Sequence, residues 1–225
     1  LGDYQVDTDD LSTSINVDGV LDIEVSRVLR NTYLLLGATI AFSAVMAGVS
    51  MALQIPYMGL WMLLPYFGLL WMVEKNKNNA SGIAWCFALT GFMGITLGPI
   101  LSSFLALRGP EPILLALGST ALAFFAASAY VLQTRKNFDF MSGFVMAGIL
   151  VGFVGAIANI WLQMQVLAIT VSCVFAVVST AGIMWQTSAI IYGGERNYIS
   201  ATVMLFVMVY NLFTSLLVLF GLSDD

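Results

Sequence analysis

The chain has 225 residues, 60% of them hydrophobic and only 9% charged, and its mean hydropathy is +0.92; a soluble domain carries about 25% charged residues. The net charge of −5 arises largely from an acidic start, since seven of the thirteen acids precede Val25, and no basic nucleic-acid footprint is present. There is no histidine, which excludes histidine-based acid–base catalysis, serine–histidine triads and histidine-ligated metals in one step.

Residues 1–17 are polar and acidic, with Asp3, Asp7, Asp9 and Asp10 among them, and are expected to lack fixed structure. From Asp18 to Arg30, Leu21, Val25, Val28 and Leu29 recur at helical spacing, with Asp18 or Asp22 able to cap a short amphipathic helix. The basic start and short apolar core of a cleavable signal are absent from this stretch. The chain therefore divides into a flexible acidic tail, 1–24, and a membrane domain, 25–225.

Seven apolar segments follow, at 33–53, 57–73, 83–107, 113–132, 140–162, 166–192 and 198–222. A stretch of about 20 apolar residues crosses a bilayer as a helix, because a helix satisfies its own backbone hydrogen bonds where lipid cannot. The reading is an all-α integral membrane protein with seven transmembrane helices. Pro56 marks the first turn, and loops follow at 74–82, 108–112, 133–139, 163–165 and 193–197. Between Tyr33 and Phe220 the charged residues are Glu74, Lys75, Lys77, Arg108, Glu111, Arg135, Lys136, Asp139, Glu195 and Arg196, all between the segments. Ionisable groups within the spans, the usual marks of a proton relay or charged ion path, are missing. Paired carboxylates for hydrolysis and a phosphate-binding glycine loop are missing too.

Orientation follows from the loops. Arg27, Arg30, Lys75, Lys77, Arg135, Lys136 and Arg196 fall on the N-terminal side, and Arg108 alone on the other. Positive residues stay in the cytoplasm, so the N-terminus is expected inside and the C-terminus outside. Trp61, Trp71, Trp85, Trp161 and Trp185 mostly fall near span ends, as interfacial anchors do.

Gly91, Gly94 and Gly98 lie along one span and Gly148, Gly152 and Gly155 along another; such spacing lets helix backbones approach, within the chain or across a dimer. Cys86 and Cys173 lack a close spacing and read as buried reduced thiols rather than a disulfide or metal pair. Asn159, Gln186 and Asn211 are amides at lipid depth that need partners or water. They form either interhelical hydrogen bonds or a hydrated cation-attracting cavity, to which Tyr210, Thr214 and Ser215 could contribute.

Several stretches carry a resemblance: Leu29–Tyr33, Thr90–Gly94 with Leu97–Ile100, Ser128–Lys136, and Gly193–Ile199 followed by Tyr210–Phe213. In this order they resemble the Bax inhibitor-1 (transmembrane Bax inhibitor motif) superfamily, and within it the bacterial modulators of the FtsH protease, from about Val28 to the C-terminus. The resemblance implies a bundle with a central seventh helix, wrapped by the other six as paired layers, in the bacterial inner membrane. It implies no enzyme and no cofactor. The implied partner is FtsH, a membrane-anchored ATP-dependent protease, whose action on membrane substrates such proteins restrain and which degrades them slowly through a cytoplasmic N-terminal tail. In this chain that tail carries Asp3, Asp7, Asp9 and Asp10. Other branches act as pH-sensitive calcium leaks through an aspartate pair on the sixth and seventh helices. The matching positions here are Gln186 and Met208, neither ionisable, which argues against the leak. The oligomeric state is left open.

Overall fold

The computed structural model describes residues 8–222, with side chains from residue 23 onward. Its helices are α1 (Thr8–Ala52), α2 (Leu63–Asn76), α3 (Ser81–Arg108), α4 (Glu111–Thr134), α5 (Met141–Leu162), α6 (Gln165–Ile191) and α7 (Tyr198–Leu222). No strand occurs among the described residues.

Two boundaries differ from the sequence reading. The first helix is continuous from Thr8 rather than starting near Asp18, so Asp9 and Asp10 lie in its opening turns, while Asp3 and Asp7 fall outside the described residues. The second segment is broken. Residues 55–58 are not helical, a 3-10 turn covers Gly59–Met62, and α2 proper has 14 residues. Pro56 supplies no N–H, and Gly59 adopts φ +57, a conformation glycine takes without steric cost. At 1.5 Å per residue α2 is about 21 Å long, short of the roughly 30 Å hydrocarbon core. Six helices among the described residues, not seven, are long and apolar enough to cross a membrane on their own.

The packing nevertheless makes the second segment a return stroke. Added Cβ atoms on Gly91, Gly94 and Gly98 of α3 would strike Phe42, Ser43 and Ser50 of α1. Residue numbers rise together, so α1 and α3 run parallel. The stretch between them must bring the chain back to the end it left. α6 descends antiparallel to α5, with Gly148, Gly152 and Gly155 facing Val178, Phe175 and Val171. Both glycine rows thus serve packing inside the chain.

α7 packs against α1, α2, α3, α4 and α6, and its Leu205, Met208, Leu212 and Leu217 are almost wholly buried. A helix enclosed on so many sides is apolar around its circumference.

Local chemistry fits these turns. Pro99 lies inside α3 and deprives the carbonyl of Ile95 of its helical donor. The Ser50 hydroxyl of α1 donates to that carbonyl at 2.7 Å. Asn197 starts α7: its Oδ1 accepts the Ile199 and Ser200 amides at 2.9 and 3.2 Å, as a helix N-cap does. Its Nδ2 donates to Lys77 O and Asn78 Oδ1 at 3.0 and 2.9 Å, tying the α6–α7 loop to the α2–α3 loop.

The same end gathers the basic residues. Tyr192 donates its hydroxyl to the Arg135 carbonyl. Ser188 accepts the Phe138 amide at 3.0 Å and donates to Lys136 O at 3.3 Å. Arg27 shares a surface hollow with Gly193 and Arg196. At the opposite end Gln165 Nε2 donates to Leu222 O at 3.2 Å, and α3 closes with Arg108. The seven-to-one charge division is a feature of the folded bundle.

Candidate functional site

The three intramembrane amides are not brought together. Asn159 ends α5, where its Oδ1 accepts the Met164 amide at 3.1 Å and Gln163 reverses the chain at φ 49. The α5–α6 register sets Gln186 level with Phe140. Nineteen residues of helix, roughly 28 Å, therefore separate Asn159 from Gln186 along the bundle. Asn211 lies farther along α7, beside Tyr210, and lines a cleft. The expected polar cluster is replaced by one helix-end cap, one core amide and one cleft wall.

Gln186 and Met208 do meet the same interface. Met208 Sδ lies 2.5 Å from where a Cβ on Gly182 would stand, and Gln186 is one helical turn from Gly182. Their exposures are 4% and 2%. This α6–α7 seam contains an amide and a thioether, neither of which titrates. Around it the polar contacts are hydroxyl bonds: Tyr33 Oη with Thr187 Oγ1 at 3.3 Å, and Thr202 Oγ1 donating to Thr32 O at 3.2 Å. Such contacts hold helices in register within lipid. Among the described residues, two buried hydroxyls, Thr32 Oγ1 and Ser128 Oγ, have no hydrogen-bond partner.

The cysteines are both free: Cys86 is buried, as expected, but Cys173 is exposed on the outer face of α6. Among the described residues no group of His, Cys, Asp or Glu side chains is placed to hold a metal ion. At the basic end Lys77 pairs with Glu74. The hydrogen bond that Lys77 donates to that carboxylate holds the pKa of its ammonium above the ordinary lysine value.

A cleft of about 600 Å³ lies between the α2–α3 and α5–α6 layers, floored by α7. It reaches from Glu74 and Ser200 at the basic end to Tyr57 and Gly59 at the other. Its polar groups include Tyr66, Tyr210, Thr96 and Asn211; Thr96 and Tyr210 are already bonded to each other at 3.1 Å. Its acidic lining residue, Glu74, is already paired with Lys77. The sequence marks this cleft only through Asn211 and Tyr210; its apolar wall residues read as ordinary span.

The family described as "Inhibitor of apoptosis-promoting Bax1" matches residues 25–225. The chain belongs to the Bax1-I family. Over 203 residues, 90% of this chain and 93% of the relative, it is 48% identical to the Escherichia coli (strain K12) protein named "Modulator of FtsH protease YccA". An uncharacterized protein of Pseudomonas aeruginosa is 49% identical over 206 residues, 90% of this chain and 93% of that one. An uncharacterized membrane protein of Vibrio cholerae is 41% identical over 90% of this chain and 92% of its own length. This Bax1-I chain is thus a membrane protein of the family to which the FtsH modulator belongs. The stretch Gly193–Ile199 has a physical task in it: Asn197 caps the central helix and binds the neighbouring loop.

Proposed function

We propose that this protein binds the membrane-anchored protease FtsH in the bacterial inner membrane and restrains it, without being an enzyme itself. The observation that carries this is the 48% identity, over 90% of the chain, to a protein named as a modulator of FtsH. The bundle fits the task. Its helices leave only short loops, so contact with a membrane-anchored partner falls mainly on helix surfaces at lipid depth and on the end bearing seven basic residues. By the positive-inside rule that end is cytoplasmic, and the N-terminus with it.

The acidic segment 1–24 is the handle through which the protease slowly degrades this chain. Its seven acids and sparse apolar residues give it little to bury, and an ATP-driven protease needs an end it can pull. The calcium-leak reading lacks support, because the seam between Gln186 and Met208 holds no group that changes charge with pH.

The test is extraction in mild detergent from cells carrying FtsH, followed by affinity purification and mass spectrometry. FtsH is expected among the retained proteins, and degradation of an FtsH membrane substrate is expected to slow when the chain is overproduced. Absence of FtsH, together with unchanged substrate decay, would sink the proposal.

A further inference from the structure

The cleft beside α7 opens sideways. Phe67 of α2 and Phe153 of α5 stand at its rim, 55% and 38% exposed, among the large apolar side chains that face outward from the bundle. In a bilayer, what meets such an opening is hydrocarbon. Water gains too few partners in an apolar cleft to occupy it, and an empty one forfeits the contacts of its lining.

The shape selects a slender occupant. Along α7 the floor runs from Ser200 to Tyr210, roughly 15 Å of helix, and the volume of about 600 Å³ lies within the range of ligand pockets. Leu63, Ile149, Val203 and Val207 line it with hydrocarbon. Of its few polar groups, Thr96 and Tyr210 bond each other at 3.1 Å, while Tyr66, Ser200 and Asn211 lie among the apolar lining.

The charge at the cleft's end selects the headgroup. At Glu74 it reaches the end where seven of the eight Lys and Arg residues gather. Lys75 Nζ lies 4.9 Å over the Trp71 ring, a long side chain held along the helix with its charge at headgroup level. Lys77 stands two residues on, sharing its charge with Glu74. Lysines at a span end attract anionic lipid. We propose that the cleft between α2 and α5 takes one acyl chain of an anionic phospholipid, whose phosphate rests against Lys75 and Lys77.

Native mass spectrometry of the full chain in detergent, delipidated and then offered equal phosphatidylglycerol and phosphatidylcholine, tests this. Phosphatidylglycerol adducts should dominate, and Lys75→Gln with Lys77→Gln should cut that preference by roughly five-fold per lysine. Val207→Trp, which fills the cleft from its floor, should remove most adducts of both lipids. Ile149→Phe fills it from the facing wall and serves if the tryptophan variant does not fold. Equal adducts of the two lipids on the unaltered protein would overturn the headgroup assignment. Adducts undiminished in a folded cleft variant would overturn the site.

Discussion

Gly94→Ala should loosen the bundle although it adds a single methyl group. The new Cβ would stand 2.3 Å from the Ser43 carbonyl oxygen and 3.0 Å from that residue's Cα and carbonyl carbon. These are backbone atoms of α1 and cannot rotate aside. Ordinary contact begins near 3.4 Å, so α1 must withdraw by about 1 Å, stretching the Ser50–Ile95 bond that compensates Pro99. Overpacking of this kind costs about 1–3 kcal/mol. For a chain of this length that lowers the melting temperature by roughly 2–4 °C per kcal/mol. Gly37→Ala is the matched control: it lies on the same helix as Ser43, and its added Cβ meets nothing within 4 Å. The assay follows a thiol-reactive fluorophore on Cys86, which is fully buried, in a Cys173→Ser background that removes the exposed thiol. Gly94→Ala should melt several degrees below Gly37→Ala. Equal melting of the two would refute the close α1–α3 approach on which the parallel packing rests.

Thr32→Val should raise the melting temperature, since it removes a buried hydroxyl without a partner and spares about 1 kcal/mol or more of desolvation; a lower melting point would count against the assigned environment. Asn197→Ala should cost about 1 kcal/mol for the lost cap and further stability for the lost loop tie, whereas Asn197→Asp should keep the cap and lose the tie; equal melting of all three proteins would contradict the assigned contacts. Calcium flux in liposomes should be weak and flat between about pH 6 and 8, the range in which histidine switches act, because the Gln186–Met208 seam does not titrate; robust flux changing with pH would revive the leak. Impermeant thiol labelling in intact cells should mark a cysteine at position 108 and spare one at 78; the reverse would overturn the orientation.

The sequence makes the helices legible because lipid permits little else: long uncharged runs must be helical, and their loops must hold the charge. Five of seven segments emerge close to their expected limits, and the first matches only at its end, because α1 already begins at Thr8. The second does not, because apolar composition is blind to backbone geometry, and Pro56 with Gly59 spends part of the segment on non-helical chain. The amides were misgrouped for a related reason. Asn159, Gln186 and Asn211 share lipid depth as a class, but depth along the bundle depends on which way each helix runs and in what register. Asn159 reaches the far end of α5 just as Gln186 nears the basic end of α6. The Ser50–Ile95 bond was readable in half: Pro99 announces a carbonyl in need of a donor, but only packing reveals that α1 supplies it.

The return of the chain between α1 and α3 carries more than the fold. If α2 did not travel back along the bundle, α1 and α3 would run antiparallel, and Ser43 and Ser50 could not meet Gly94 and Gly98 in rising order. The same return brings Lys75 and Lys77 to the end where Asn197 binds Lys77 O and Asn78. A bundle whose second segment stayed at the far end would split its basic residues between both faces and forfeit a consistent orientation. Because α2 is short, it makes this journey with non-helical chain at one end, and Tyr57 and Gly59 of that chain line the cleft beside α7. One broken segment thus accounts for the deviation from seven full-length spans. Tail deletion separates this body from the proposed handle. Without residues 3–21 the bundle should fold as before, since its stability comes from packing among the spans, and its half-life in cells with active FtsH should lengthen. A membrane substrate of FtsH followed in the same chase should persist longer as well. If the shortened and full-length chains decay equally, the tail is not the point of engagement; if the shortened chain is stable while the other substrate is cleared at its normal rate, restraint of the protease is the part of the proposal that fails.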